Sequence, residues 1–160
     1  MPGLQRSLAT TLRGASVLSV ALSVGLAGCA TSPYGATAPS LQGTTWVLES
    51  FQSMDDAQGT QRAEPPEAFT LQLLPDGRVA MRLDCNRGTA NWSHTPSADG
   101  WSGSINFSPV AATRALCAPP RFGERLARDL PQIKGYLLRD GKLYLSLMAD
   151  AGIYAWRPLP

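Results

Sequence analysis

The chain has 160 residues, with 14 lysines and arginines against 12 aspartates and glutamates and a net charge of +2. Its first 28 residues hold two of the arginines, Arg6 and Arg13, and no acid, so the remainder carries 12 charges of each sign. That balance lacks the basic excess that contact with a phosphate backbone requires, which excludes a nucleic-acid partner.

Residues 1–28 read as a lipoprotein signal peptide and are set aside before any fold reasoning. Arg6 and Arg13 give a positive start, and Ala15–Leu26 is an uncharged, mostly apolar run. At about twelve residues it is short of the roughly twenty that span a bilayer as a helix. It ends in Leu26-Ala27-Gly28-Cys29, which resembles the lipobox of bacterial lipoproteins. Small residues before the cut suit a peptidase's narrow subsites, and the Cys29 thiol can take a diacylglyceryl group. The rival is an ordinary signal peptide that happens to end in cysteine. Each buried methylene of an acyl chain contributes about 0.8 kcal/mol, so two or three chains anchor almost permanently. The expected location is therefore the cell envelope, with the membrane as partner through Cys29. Ala30, where an aspartate would resemble an inner-membrane retention signal, favours the outer membrane facing the periplasm. Residues 29–40 follow as a lipid-anchored tether, because Thr31–Ser40 is uncharged and rich in Pro, Gly, Ser and Thr. Residues 41–160 suit one domain with a single core.

Most of that domain reads as short strands of period-two alternation. Thr44–Phe51 places Trp46 and Leu48 on one face, and a polar loop follows over Ser53–Pro66. Ala68–Leu74 aligns Phe69, Leu71 and Leu73; Arg78–Leu83 aligns Val79, Met81 and Leu83. Asp76-Gly77 between them predicts a hairpin with a type I′ turn, both of whose central positions have positive φ. Thr89–Ser93 is a short strand, Trp101–Phe107 a clean one after Asp99-Gly100. A helix is predicted between Pro119-Pro120 and Pro131, since proline suits a first helical turn and stops a later one. Its Phe122, Leu126 and Leu130 recur at i, i+4 and i+8 as a stripe for packing on a sheet. Arg121, Arg125 and Arg128 fall opposite, as a solvated face or a contact for anionic head groups. Ile133–Arg139, Lys142–Met148 and Ile153–Arg157 close the domain, the first two joined by Asp140-Gly141. The expected fold is mainly β with one helix (α+β): a small curled antiparallel sheet or partly open barrel with the amphipathic helix packed on it.

Besides Cys29 there are two cysteines, Cys85 and Cys117. In an oxidising compartment an isolated pair forms a disulfide, and closing that loop stabilises by about 3–4 kcal/mol. The rival is a catalytic thiol or a metal pair. His94 is the only histidine and sits in the polar stretch Ser93–Pro96, which reads as a loop. Structural zinc needs about four Cys or His ligands and catalytic zinc about three, and no glycine-rich phosphate loop occurs. No cofactor or metal is expected. Carboxylates remain for a hydrolase, Asp55-Asp56 and Glu64/Glu67, but in a loop. The sequence thus points to a protein that is not an enzyme.

From Leu41 onward the chain resembles the META/HslJ family of bacterial heat-shock lipoproteins. The likeness rests on Leu41-x-Gly43-Thr44-x-Trp46, Asp76-Gly77-Arg78, Cys85-Asn86-Arg87, Thr113-Arg114-Ala115-Leu116-Cys117, and Leu143-x-Leu145-x-Leu147 followed by a strand with Trp156. One departure is visible: Gly88 follows Arg87 directly, and Ala90 stands where the family usually has glycine. The resemblance implies a small antiparallel β fold with a helix and a role in heat shock or envelope stress, with no established reaction. Asn86, Arg87, Thr113 and Arg114 then either order the segment beside the bridge or form a binding patch. The leading expectation is a stress-related binding module with an unknown envelope protein as partner. The alternative is an inhibitor of a protease or wall-lytic enzyme that inserts the loop Ser53–Pro66.

Overall fold

A computed structural model describes residues 37–119 and 122–159. The expected signal peptide, the lipidation candidate Cys29 and most of the expected tether lie outside the described residues, as does Arg121.

Among the described residues, ten strands and one α-helix follow in order: β1 (Thr45–Ser53), β2 (Thr60–Arg62), β3 (Phe69–Leu73), β4 (Arg78–Leu83), β5 (Asn86–Pro96), β6 (Ser102–Phe107), β7 (Ala111–Ala112), α1 (Phe122–Asp129), β8 (Ile133–Arg139), β9 (Lys142–Leu147) and β10 (Gly152–Pro158). Eight of them run antiparallel around a ring, β1-β3-β4-β5-β6-β8-β9-β10, and β10 returns to β1. The expectation of a curled sheet or partly open barrel is therefore corrected: the barrel is closed. Closure rests on the pairing of Trp46–Ser53 with Gly152–Pro158, whose register shifts between Leu48 and Ser50. A bulge there adds twist to the long first strand, which pairs with β3 on one edge and β10 on the other. Two short strands lie outside the ring, β2 on β1 and β7 on β5.

The alternation seen in the sequence puts the large side chains inside. Leu71, Leu73, Val79, Ile105, Leu143, Leu145, Tyr154 and Trp156 are all essentially inaccessible, which is the burial that drives the closure. The β3–β4 hairpin forms, but its turn differs from type I′. Only Gly77 has positive φ (+78°), while Asp76 accepts the Arg78 N–H at 3.1 Å. At Asp140-Gly141 both residues have positive φ, +54° and +73°, as the two-residue turn demands.

α1 continues through a 3₁₀ turn, Leu130–Gln132, and its stripe of Phe122, Leu126 and Leu130 is buried in the core. Phe122 meets Phe69 edge-on, with ring centres 5.5 Å apart. Glycine at 123 permits this approach, since a β-carbon there would stand 2.5 Å from the Leu83 carbonyl oxygen. The predicted arginine face does not survive as a unit. Arg125 is largely buried, its guanidinium 4.0 Å above the Phe51 ring and bonded to Asp129 and Gln61, whereas Arg128 is open to solvent.

Candidate functional site: a segment clamped beside the disulfide

The four motif residues and the two cysteines come together where β4 turns into β5. Asp84, with φ +63°, starts the two-residue turn that delivers Cys85, and β5 opens at Asn86. Cys85 is disulfide-bonded to Cys117, with α-carbons 5.7 Å apart. Asn86 is 7% exposed, and its carboxamide works in both directions. Its Oδ1 accepts the Thr113 hydroxyl and the Ala115 N–H, each at 2.8 Å. Its Nδ2 donates to the Ala115 carbonyl at 3.0 Å and contacts the Cys117 sulfur at 3.1 Å. Thr113 also bonds the neighbouring residue: its N–H donates to the Arg87 carbonyl at 2.9 Å, and its hydroxyl accepts the Arg87 N–H at 3.1 Å.

The motif therefore splits by orientation. Asn86, Thr113 and the bridge fasten the segment, while Arg87 and Arg114 are exposed and make no side-chain ion pair among the described residues. Leu116, singled out by no sequence argument, is 81% exposed. No sequence signal marked it, because the tethered places in Thr113-Arg114-Ala115-Leu116-Cys117 are set by the contacts with Asn86. A groove of about 840 Å³ lies beside the segment. Its floor is apolar, from Leu83, Gly88, Val110 and Ala127, and Arg87, Arg114 and Arg128 reach its rim. Gly88 sits close to its neighbours: a β-carbon would fall 2.9 Å from both Leu83 Cδ1 and Val110 Cγ1, so those side chains would have to shift.

Elsewhere the structure disperses the candidates for chemistry. His94 lies in β5 rather than a loop, half-buried and stacked on Trp92 at 5.0 Å, with Tyr136 edge-on at 6.0 Å. The stretch Ser53–Pro66 is not free to insert, because β2 pairs with Ser50–Gln52 and Ala63 is buried. Asp55 is tied by Gln58 Nε2 and the Ala57 N–H, which hold its carboxyl below the usual carboxylate range. Glu67 pairs with Arg157 at 2.9 Å. Asp84, Cys85 and Cys117 have ligand atoms within 4.8 Å of one another, but a metal would need thiolates, and these sulfurs are bonded together. No described helix is long and apolar enough to cross a membrane.

A family model, the META domain, matches residues 39–155, which include every strand up to β10 and the whole clamped segment. The chain belongs to the META domain family. This is the HslJ-like family, so the likeness carried by Cys85-Asn86-Arg87 and Thr113-x-x-x-Cys117 holds across the domain. Among solved structures, the META domain is similar to one described as the NMR structure of the protein from Burkholderia xenovorans. The two share 21% identity over 78% of this chain and 93% of that one, with a TM-score of 0.55. A DUF4847 family protein from Bacteroides vulgatus matches at 10% identity and a TM-score of 0.48, over 71% of this chain and 90% of that one. No curated protein matches the sequence. The first of these likenesses speaks for the fold alone.

Proposed function

We propose that this META-domain protein is a non-catalytic lipoprotein of the cell envelope. It is held by lipid on Cys29, at the outer membrane facing the periplasm, and acts as a stress-related binding module for an envelope protein. The observation that carries the reading is the segment from Thr113 to Leu116, exposed throughout yet fastened by Asn86 and the Cys85–Cys117 bridge. A rigid, solvent-facing segment with a bare leucine and an arginine that has no ion-pair partner among the described residues loses little conformational entropy on binding, which favours affinity. Apolar and arginine side chains are also the groups that anchor interfaces.

The test is site-specific photo-crosslinking of the full chain in cells. A photoreactive residue in place of Leu116 should give one discrete adduct, strengthened by heat stress. The same residue in place of Leu137, on the outside of β8, should give none. Identical adduct patterns at both positions would overturn the reading.

A further inference from the structure

We infer that Thr113–Cys117 is a substrate-like loop that inhibits an endopeptidase cleaving after arginine, with Arg114 entering its specificity pocket. The inference rests on the reading of this segment as the recognition surface and names the partner's class.

Three observations carry it. The first is the period-two pattern. Thr113, Ala115 and Cys117 each contact the Asn86 side chain, whereas Arg114 and Leu116 face solvent. Two is the repeat of extended chain, the form in which endopeptidase clefts take their substrates. The second is which backbone groups remain available. The N–H and C=O of Ala115 are both spent on Asn86. Those of Arg114 and Leu116 have no partner among the described residues, so they are free to pair with a cleft's own backbone.

The third is what would follow attack. A nucleophilic oxygen adding to the Arg114 carbonyl carbon breaks the C–N bond to Ala115, and the nucleophile's proton passes to the Ala115 nitrogen. In an ordinary substrate that amine diffuses away. Here it stays bonded to Asn86 Oδ1 and tied through Leu116 to Cys117 and the bridge. The acyl half stays tied through Thr113 to Arg87 and Asn86. Both halves remain in place, so the amine re-forms the peptide bond faster than water displaces the acyl group. An acidic group at the base of the enzyme's pocket would complement Arg114, whose side chain has no acidic partner among the described residues.

The test uses the mature chain against trypsin, as an arginine-specific endopeptidase, with chymotrypsin as the apolar-specific control and a small chromogenic substrate as readout. One-to-one, reversible inhibition of trypsin alone is expected. Arg114→Ala should weaken it about 100-fold, as loss of a central interface anchor does, while Arg114→Lys retains it. Arg114→Leu should move inhibition to chymotrypsin. Asn86→Ala, if folded, should become a substrate cut at Arg114–Ala115, gaining the mass of one water. Arg114→Lys keeps the test decisive should Asn86→Ala fail to fold. Steady turnover of the wild-type chain at Arg114–Ala115, or no inhibition of trypsin, overturns the inference. A crosslinked partner at Leu116 without endopeptidase activity would also overturn it, yet leave the recognition surface standing.

Discussion

Asn86→Ala isolates the clamp from everything else in the barrel. It removes three well-formed hydrogen bonds, to the Thr113 hydroxyl and to the Ala115 N–H and C=O, all between 2.8 and 3.0 Å. A net contribution of about 0.5–1.5 kcal/mol each gives an upper sum near 4.5 kcal/mol. Thr113 and Ala115 are exposed, so water replaces the lost partners and the cost falls to about 2 kcal/mol. For a domain of this size that lowers Tm by roughly 8 °C. The disulfide and β5 remain, so the damage is local. Amide hydrogen exchange at Ala115, whose N–H loses its acceptor, should accelerate towards solvent rates while the Leu71 and Leu145 amides keep their protection. Thermal denaturation and exchange of the same sample read both effects. A variant with unchanged Tm and unchanged exchange at Ala115 would refute the clamp.

Three further outcomes are expected. Replacing Cys85 and Cys117 by alanine should cost about 3–4 kcal/mol in denaturant unfolding, by the loop-entropy estimate; equal midpoints for the two proteins would remove the bridge from the argument. Cys29→Ala should move the protein from the membrane pellet to the soluble fraction, and continued sedimentation would contradict lipid anchoring. The Tyr154 phenol is raised above its ordinary pKa by burial and by its hydrogen bond to Asp129. The folded state thus favours the neutral form, and this contribution is complete below the unfolded pKa near 10 and lost as pH rises past it. Tyr154→Phe should flatten the fall of stability above that pH, and an unchanged alkaline slope would refute the assignment.

What was legible in the sequence was what depends on neighbours. Alternation marked β3, β4, β6, β8 and β9 to within a residue or two, because one face of each is buried against the same core. Proline and the Phe122-Leu126-Leu130 stripe marked the helix for the same reason. Closure was not legible: Trp46 pairs with Pro158 across nearly the whole domain, and no local pattern encodes a partner that far away. β2 and β7 were missed because three and two residues cannot show a period. Arg125 escaped because charge alone placed it outward, whereas its stem packs inward and its head finds Phe51 and Asp129. The site was half legible. Its residues were named, but which of them fasten and which project follows from Asn86's reach, and a sequence motif does not show that reach.

The clamp stands where the barrel wall gives out. β6 and β8 pair only through Ser102–Ser104 with Gly135–Leu137; beyond Ser104 the chain leaves β8, and α1 with its 3₁₀ turn fills the gap. From Phe107 onward the chain keeps one neighbour, β5, held by bonds from Ser108 and Thr113 and by the short β7. A strand with one partner has an unpaired edge, and such edges fray or aggregate unless secured. Past Thr113 even β5 is left behind, and there the Asn86 carboxamide and the disulfide supply the fixing that sheet hydrogen bonds supply elsewhere. That substitution has a consequence for function. Ladders on both sides of a strand engage every backbone group in turn, but a one-sided side-chain clamp at every second residue leaves the alternate backbone groups and side chains free. A segment can then be as fixed as the barrel and still present Arg114 and Leu116, with their N–H and C=O groups, to a partner.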